Sequence, residues 1–279
     1  MIDVALPIFI FAMGASVGSF INVVTLRFGF SEKVRNRSHC MACDIPIASH
    51  DLIPIFSFFF LGGRCRHCKS KLTLQYPIVE LLLGVLFLSL WYTMPPSLTF
   101  WSLVNFVSVL VFLSTLVALV VYDLKHTLVP LAFAYTLLVS GFVATSANAF
   151  RISSLNPIFD GLIGGAVLFA FFAGIVFVTR GKGMGMGDAY IAGAVGVLLG
   201  IWRGIEAVSF GVWIATALYL TLLLLSSLLK KTTLLPAPFR VTIRKELPFI
   251  PFIAIGVLIS LFTNLSPLEF GSWIGTFLW

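Results

Sequence analysis

FWSLVNFVSVLVFLSTLVALVVYDLKH, residues 100–126, runs without a charge from Phe100 to Tyr122 and then closes on Asp123, Lys125 and His126. An α-helix needs roughly 20 apolar residues to cross a bilayer core of about 30 Å, so this run predicts a membrane-spanning helix ending at a polar boundary. Comparable stretches lie near 4–26, 77–93, 129–147, 158–179, 188–203, 206–229 and 249–265, which together with 98–122 make about eight. Hydrophobic residues are 59% of the 279 positions and charged ones only 10%, where soluble domains carry about 25%. The expected fold is therefore all-α: a polytopic membrane protein of about eight transmembrane helices with membrane lipid as its main solvent. No basic segment precedes the first stretch, and Gly14, Ser16, Gly18 and Ser19 fall inside its apolar run, so it reads as a retained helix and not a cleaved signal.

Charge sets the orientation. Of the 18 Lys and Arg residues, all but Arg151 and Arg203 fall in residues 27–75, at Lys125, at Arg180 and Lys182, or in 230–248. Eight spans put these four groups on one face, which the positive-inside rule makes cytoplasmic, with both termini outside. The net charge of +7 is then a basic surface facing anionic lipid, and no nucleic-acid partner is required. The 28 phenylalanines are helix-packing or lipid-facing groups.

Only residues 27–76 look soluble, and they divide the chain into a first helix (1–26), a cytoplasmic module (27–76) and a membrane core (77–279). The module holds all four cysteines, as Cys40-Met-Ala-Cys43 and Cys65-Arg-His-Cys68. Two residues between thiols let both reach one ion, and two such turns supply the tetrahedral four-sulfur shell that zinc favours. A filled shell leaves no open position, so the zinc is expected to be structural. Arg64, Arg66 and Lys69 would help offset the thiolate charge, and His39, His50 and His67 read as surface histidines. No internal repeat is visible in the chain.

Asp123 ends one apolar run. Asp188 opens another after the glycine-rich segment Gly181-Lys182-Gly183-Met184-Gly185-Met186-Gly187. Ionisable groups at a membrane boundary are costly and are functional candidates by default. Two carboxylates sharing a proton can hydrolyse a peptide bond without a metal, one activating water while the other donates to the carbonyl oxygen. The glycines before Asp188 permit close backbone approach. Singly, each aspartate is equally a helix cap, Asp123 paired with Lys125 or His126. Glu80 reads as tying its helix to a basic loop residue, and Asp160 and Glu206 fall toward the other face.

With these residues in hand, the chain resembles the type IV prepilin peptidases, a family of bifunctional leader peptidases and N-methyltransferases. The resemblance rests on Gly14-Ala-Ser-Val-Gly18-Ser19-Phe20-Ile-Asn22-Val23, Arg37-Ser38-His-Cys40 with the two cysteine pairs, Tyr76-Pro77-Ile-Val-Glu80, the GxGD form Gly185-Met-Gly187-Asp188, and Pro248-Phe249-Ile-Pro251-Phe252, in that order. It implies an aspartyl protease of the bacterial inner membrane with its active site facing the cytoplasm, and active carboxylates at Asp123 and Asp188. It also implies prepilin or pseudopilin substrates of type IV pilus or type II secretion systems, methylation of the new N-terminus from S-adenosyl-L-methionine, and zinc at Cys40, Cys43, Cys65 and Cys68. Leu124-Lys125, Pro130-Leu131 and Tyr190 depart from the family's usual acidic run, proline-aspartate pair and lysine. No soluble-type glycine-rich loop marks a methyl-donor site, and a transporter or assembly scaffold using the aspartates for cations or protons is the alternative class.

Overall fold

The computed structural model describes residues 2–27, 38–40, 42–182, 184–229 and 248–263. Arg37, Gly183, Glu246 and the basic residues Lys33, Arg35, Lys230, Lys231, Arg240, Arg244 and Lys245 lie outside them, as do the final residues of the span expected to reach 265. The order is α1 (Ile2–Arg27), a 3-10 turn (Ser49–Leu52), α2 (Phe56–Phe60), α3 (Gln75–Thr93), α4 (Phe100–His126), α5 (Leu131–Arg151), α6 (Asn156–Val178), α7 (Met186–Leu229) and α8 (Ile250–Phe262). Six of these helices are long and apolar enough to cross a membrane. Among the described residues there is no strand, only two isolated bridges.

Helices in lipid gain nothing from hiding apolar side chains, so they associate through small residues that let backbones touch. On α1, a Cβ at Gly14 would stand 2.5 Å from the Leu83 carbonyl, and one at Gly18 would stand 2.7 Å from the Cα of Glu80. Gly84 answers from α3 by receiving the Phe11 ring. Near the end of this seam the Asn22 amide donates to the Tyr76 carbonyl at 3.2 Å, and Gln75 donates to the Asn22 side chain at 3.2 Å. The seam between α6 and α7 is built the same way, with Gly161, Gly164 and Gly165 against Gly193, Gly196 and Val197.

α7 is two helices. Gly200 has φ 78° and ψ −179°, a conformation that glycine alone adopts readily, and there the chain turns back. A Cβ on Gly204 would lie 3.2 Å from the Cα of Gly196, whereas eight residues along a straight helix span about 12 Å. Counting the two arms separately and adding α8 gives the eight apolar segments the sequence predicts. The turn comes at Gly200 and not at the expected break of 203–206. The first arm, 186–199, is about 21 Å long, short of a full crossing. Its turn stands beside Gly164, well inside α6, where irregular backbone must find internal partners. Asp160 supplies one, accepting the Ile201 N–H at 3.4 Å.

α8 runs antiparallel to the second arm of α7, with Gly256 against Ala207 and Gly211 against Phe252. A core of Phe112, Leu116, Leu119, Leu137, Ile191, Val195, Ile250 and Ile253 joins α4, α5, α7 and α8. The end of α4, the starts of α5, α7 and α8 and the cysteine module consequently share one end of the bundle; α1 begins and α8 ends at the other, where Arg151 closes α5.

Replacing Asp160 with leucine leaves the turn donor unsatisfied in an apolar setting, a loss of about 1–3 kcal/mol. Thermal unfolding in detergent should show a lower midpoint for Asp160→Leu and a midpoint close to the original for Asp160→Asn, which keeps an acceptor. Equal midpoints for all three proteins would remove the capping role.

Candidate active site

Asp123 occupies the last turn of α4 and is 5% exposed. The helix stops three residues later because Thr127 adopts the left-handed region (φ 51°) and returns its N–H to the Asp123 carbonyl at 2.9 Å. The carboxylate is held from the far end of the sequence: the Ile250 N–H, at the start of α8, donates to Asp123 Oδ2 at 3.3 Å. Helix starts leave their first N–H groups unsatisfied and attract anions. Pro251, next in the chain, has no such donor, so Ile250 aims one main-chain N–H at this carboxylate. This gives the Pro248–Phe252 segment a physical role that its sequence did not reveal. Phe249 anchors it by packing against the Phe172 ring at 6.1 Å.

Asp188 is the third residue of α7 and half-buried. It is therefore not the N-cap; it lies in the first turn, where the helix dipole favours a negative charge, and its N–H bonds the Gly185 carbonyl at 3.2 Å. The chain leaves α6 through Arg180 (φ 52°) and Gly181 (φ 72°). The two glycines of the GxGD segment then differ. A Cβ on Gly187 would run into the Val129 side chain, whereas one on Gly185 would meet no more than its neighbour's nitrogen at 3.9 Å. Val129 belongs to the short loop that follows Asp123. Gly187 thus presses the Asp188 turn onto the loop that follows Asp123. Among the described residues nothing crowds Gly185. Tyr190, where a lysine was expected from the resemblance, packs between Tyr135 and Phe169.

The four cysteines converge, with all Sγ atoms within 4.8 Å of one another. Four thiolates about 2.3 Å from one ion stand roughly 3.8 Å apart, which is the Cys40–Cys68 separation of 3.8 Å. The two turns repeat a single geometry that spacing alone did not show. Cys40 N–H bonds the Ile45 carbonyl and Asp44 N–H returns to Cys40; Cys65 N–H bonds the Ser70 carbonyl and Lys69 N–H returns to Cys65. Asp44 and Lys69 both have φ 57°. A hydrogen bond from the Ala42 N–H brings the Cys40 thiol down to about 6 and the Ser70 hydroxyl lowers that of Cys68, whereas Cys43, despite a main-chain bond from Ile45, is pushed up to about 11 by burial and by the Cys40 and Cys68 sulfurs. Arg66 does not serve as their counter-charge, as the sequence suggested. Its guanidinium forms a two-pronged bond to Asp51, at 2.8 and 2.6 Å, which holds the Asp51 carboxyl below its usual range.

Glu80, one turn into α3 and 6% exposed, also departs from expectation. Among the described residues its partner is not a basic side chain but the Ile55 N–H, which donates to Oε2 at 2.7 Å. Asp160 lies with Gly200, away from Asp123.

Residues 12–94 match the family model of the bacterial peptidase A24 N-terminal domain, and residues 110–231 that of the type IV leader peptidase family. The chain belongs to the type IV leader peptidase family. Among curated relatives, a prepilin leader peptidase/N-methyltransferase of Bacillus subtilis is 31% identical over 252 residues, covering 90% of this chain and 92% of the relative. One of the same description from Myxococcus xanthus is 34% identical over 72% of this chain, though the match spans only 58% of that longer protein. A type 4 prepilin-like proteins leader peptide-processing enzyme of Escherichia coli is 31% identical, with 70% of this chain and 78% of the relative covered. No solved structure matches. With six apolar spans and this kinship, the chain is a multi-pass membrane protein. The N-terminal match takes in α1, the cysteine module and α3; the second takes in both aspartates.

The cysteine cluster should hold one metal ion, so elemental analysis of purified protein is expected to give about one ion per chain. Cys65→Ser should reduce that several-fold while leaving the membrane helices folded by circular dichroism. A metal-free wild-type chain with four alkylatable thiols would contradict this.

Proposed function

We propose that this protein cleaves the leader peptide of type IV prepilins or type II secretion pseudopilins, and that Asp123 and Asp188 carry the reaction. The observation that supports the reading is the contact of Gly187 with Val129, which seats the Asp188 turn on the loop that follows Asp123. One carboxylate withdraws a proton from water as the water attacks the scissile carbonyl carbon, and the other donates to the carbonyl oxygen and then to the leaving amine. Because they interact, the protons belong to the pair. The open backbone at Gly185 is suited to an extended substrate segment laid beside them.

The basic residues favour a bacterial inner-membrane location with this end of the bundle in the cytoplasm, where the leader of a membrane-anchored substrate would be met. The relatives' names support a second activity, N-methylation of the new N-terminus; S-adenosyl-L-methionine would supply the methyl group. The ion in the four-cysteine cluster is read as zinc, since four thiolates in tetrahedral reach are its preferred structural shell, and its task would be to hold the 27–76 module in shape on the core formed by 77–279. A transporter or scaffold role gains nothing from the site, and the family membership favours hydrolysis.

Asp123→Asn and Asp188→Asn should each reduce cleavage of a prepilin reporter by about 10²–10⁴-fold, with methylation of a precleaved substrate retained. Full cleavage by either variant would overturn the dyad. The pH profile of cleavage should fit two apparent pKa values assigned to the pair, and either asparagine variant should collapse the residual profile to fewer titrations.

A further inference from the structure

The side chains of α2, Phe56-Ser57-Phe58-Phe59-Phe60, divide between two environments. Ser57 and Phe58 turn inward to a cavity beneath the module, which Lys125 also lines, and the Phe58 ring lies 3.0 Å from where a Cβ on Gly63 would stand. Phe56, Phe59 and Phe60 turn outward and are 61%, 70% and 87% exposed. Leu52 and Ile53, just before them, are exposed as well. Large apolar side chains grouped on one exposed face mark a surface that something covers.

The depth of α2 says what covers it. α3 has 19 residues, about 28 Å of helix, which is close to the whole hydrocarbon thickness and leaves its first turns no room to stand clear of the membrane. Glu80 lies about 7.5 Å along α3 from Gln75, and its carboxylate accepts the Ile55 N–H at the entrance to α2. The start of α2 is therefore pinned at the boundary between headgroups and acyl chains. Around that level α1 and α3 expose Phe20, Leu74 and Ile78, so the three rings continue a surface that the bilayer already covers. Charge agrees with this. Residues 38–74 carry Arg64, Arg66, Lys69 and Lys71 against Asp44 and Asp51, and Arg66 and Asp51 neutralise one another. Arg64 follows α2 directly, its N–H bonding the Leu61 carbonyl, and Lys71 stands across from it in an isolated bridge; both side chains are exposed.

We propose that α2 is an interfacial anchor: Phe56, Phe59 and Phe60 insert into the leaflet on the module's side of the membrane, and Arg64 and Lys71 hold the phosphates of anionic lipids there. Apolar rings beside basic residues are the pattern of segments that lie in the membrane interface, their apolar face sunk about 5–10 Å, and anionic headgroups attract such basic residues. So short a helix could not recruit itself to a bilayer. Here α1 and α3 bring it to the surface, and only its seating is left to the rings. Ile55 has φ 66°, strain that a β-branched residue keeps only where its surroundings over-determine it; the Glu80 bond fixes it on one side and the lipid seat on the other. Seating α2 sets the tilt of the module against the bundle, and with it the roof of the cavity that Phe58 lines. The anchor is independent of the reaction assigned to the aspartates.

The test reads what lies against the rings. The full-length chain, with Phe60 replaced by the photoreactive p-benzoylphenylalanine, is reconstituted into nanodiscs of equimolar phosphatidylglycerol and phosphatidylcholine, irradiated, and weighed as the intact protein. An adduct of one phospholipid is expected. Phosphatidylglycerol should exceed phosphatidylcholine in that adduct roughly fivefold, as one or two basic groups at the surface would give, and Arg64→Gln with Lys71→Gln should bring the two lipids to equal yield. The probe at Phe58, whose ring faces inward, should capture roughly tenfold less lipid. If the Phe60 chain does not fold by circular dichroism, the probe at Phe59 decides. A probe at Phe60 or Phe59 that captures a second copy of the chain or a co-reconstituted prepilin in place of lipid, that captures nothing, or that captures lipid no better than Phe58 does, overturns the anchor. Equal yields of the two lipids with the basic pair intact overturn the role of Arg64 and Lys71.

Discussion

Close approach of helix backbones, with no Cβ between them, is the constraint on which the other features depend. In lipid, two apolar helix faces gain little by meeting, so contact must come from dispersion and from polar groups brought into reach. Gly14 and Gly18 bring α1 onto α3 and lock the backbone of Glu80. The paired glycines of α6 and α7 let a short arm nest inside the bundle, and Gly200 returns it. At the end of that arm Gly187 seats the Asp188 turn on Val129. A side chain at any of these points would separate two helices and move the carboxylates that the contacts position.

Three carboxylates, two of them buried and the third, Asp160, exposed on an apolar helix, find the same kind of partner. Asp123 accepts from Ile250, Glu80 from Ile55 and Asp160 from Ile201, each a main-chain N–H of a segment distant in sequence. A main-chain donor carries no net charge. It holds the carboxylate in place without forming a buried ion pair, whose desolvation can exceed its attraction. Asp51 of the module, whose side chain is 8% exposed, is held differently, by a full arginine partner.

Much of this was legible in the chain. Apolar runs longer than 18 residues have few alternatives to a membrane helix, and a cysteine pair two residues apart has few alternatives to a shared ligand, so the helices, the placing of Asp123 and Asp188 at helix ends and the convergence of the four cysteines could be read in advance. What could not be read depends on main-chain groups or on distance in sequence. Arg203 and Glu206 looked like the loop between two spans because charges usually mark loops, yet the turn lies at Gly200, where φ and not charge decides. Glu80 was assigned a basic side chain because main-chain donors leave no trace in a sequence. The 127-residue separation of Ile250 from Asp123 has no local signal, and the Pro-Phe-Ile-Pro pattern acquires meaning only when α8 is seen to start beside α4.

The last turn of α4 joins these lines. Its hydrogen-bond pattern ends at Thr127, Asp123 is turned inward to α8, Lys125 lines the chamber beneath the module, and Val129 just beyond receives Gly187. That short stretch therefore ties three separately built regions together: α8 through Asp123, the cysteine module through Lys125 and the start of α7 through Val129. Because helix and turn move as one rigid piece, a displacement of any one of these regions is felt by the other two.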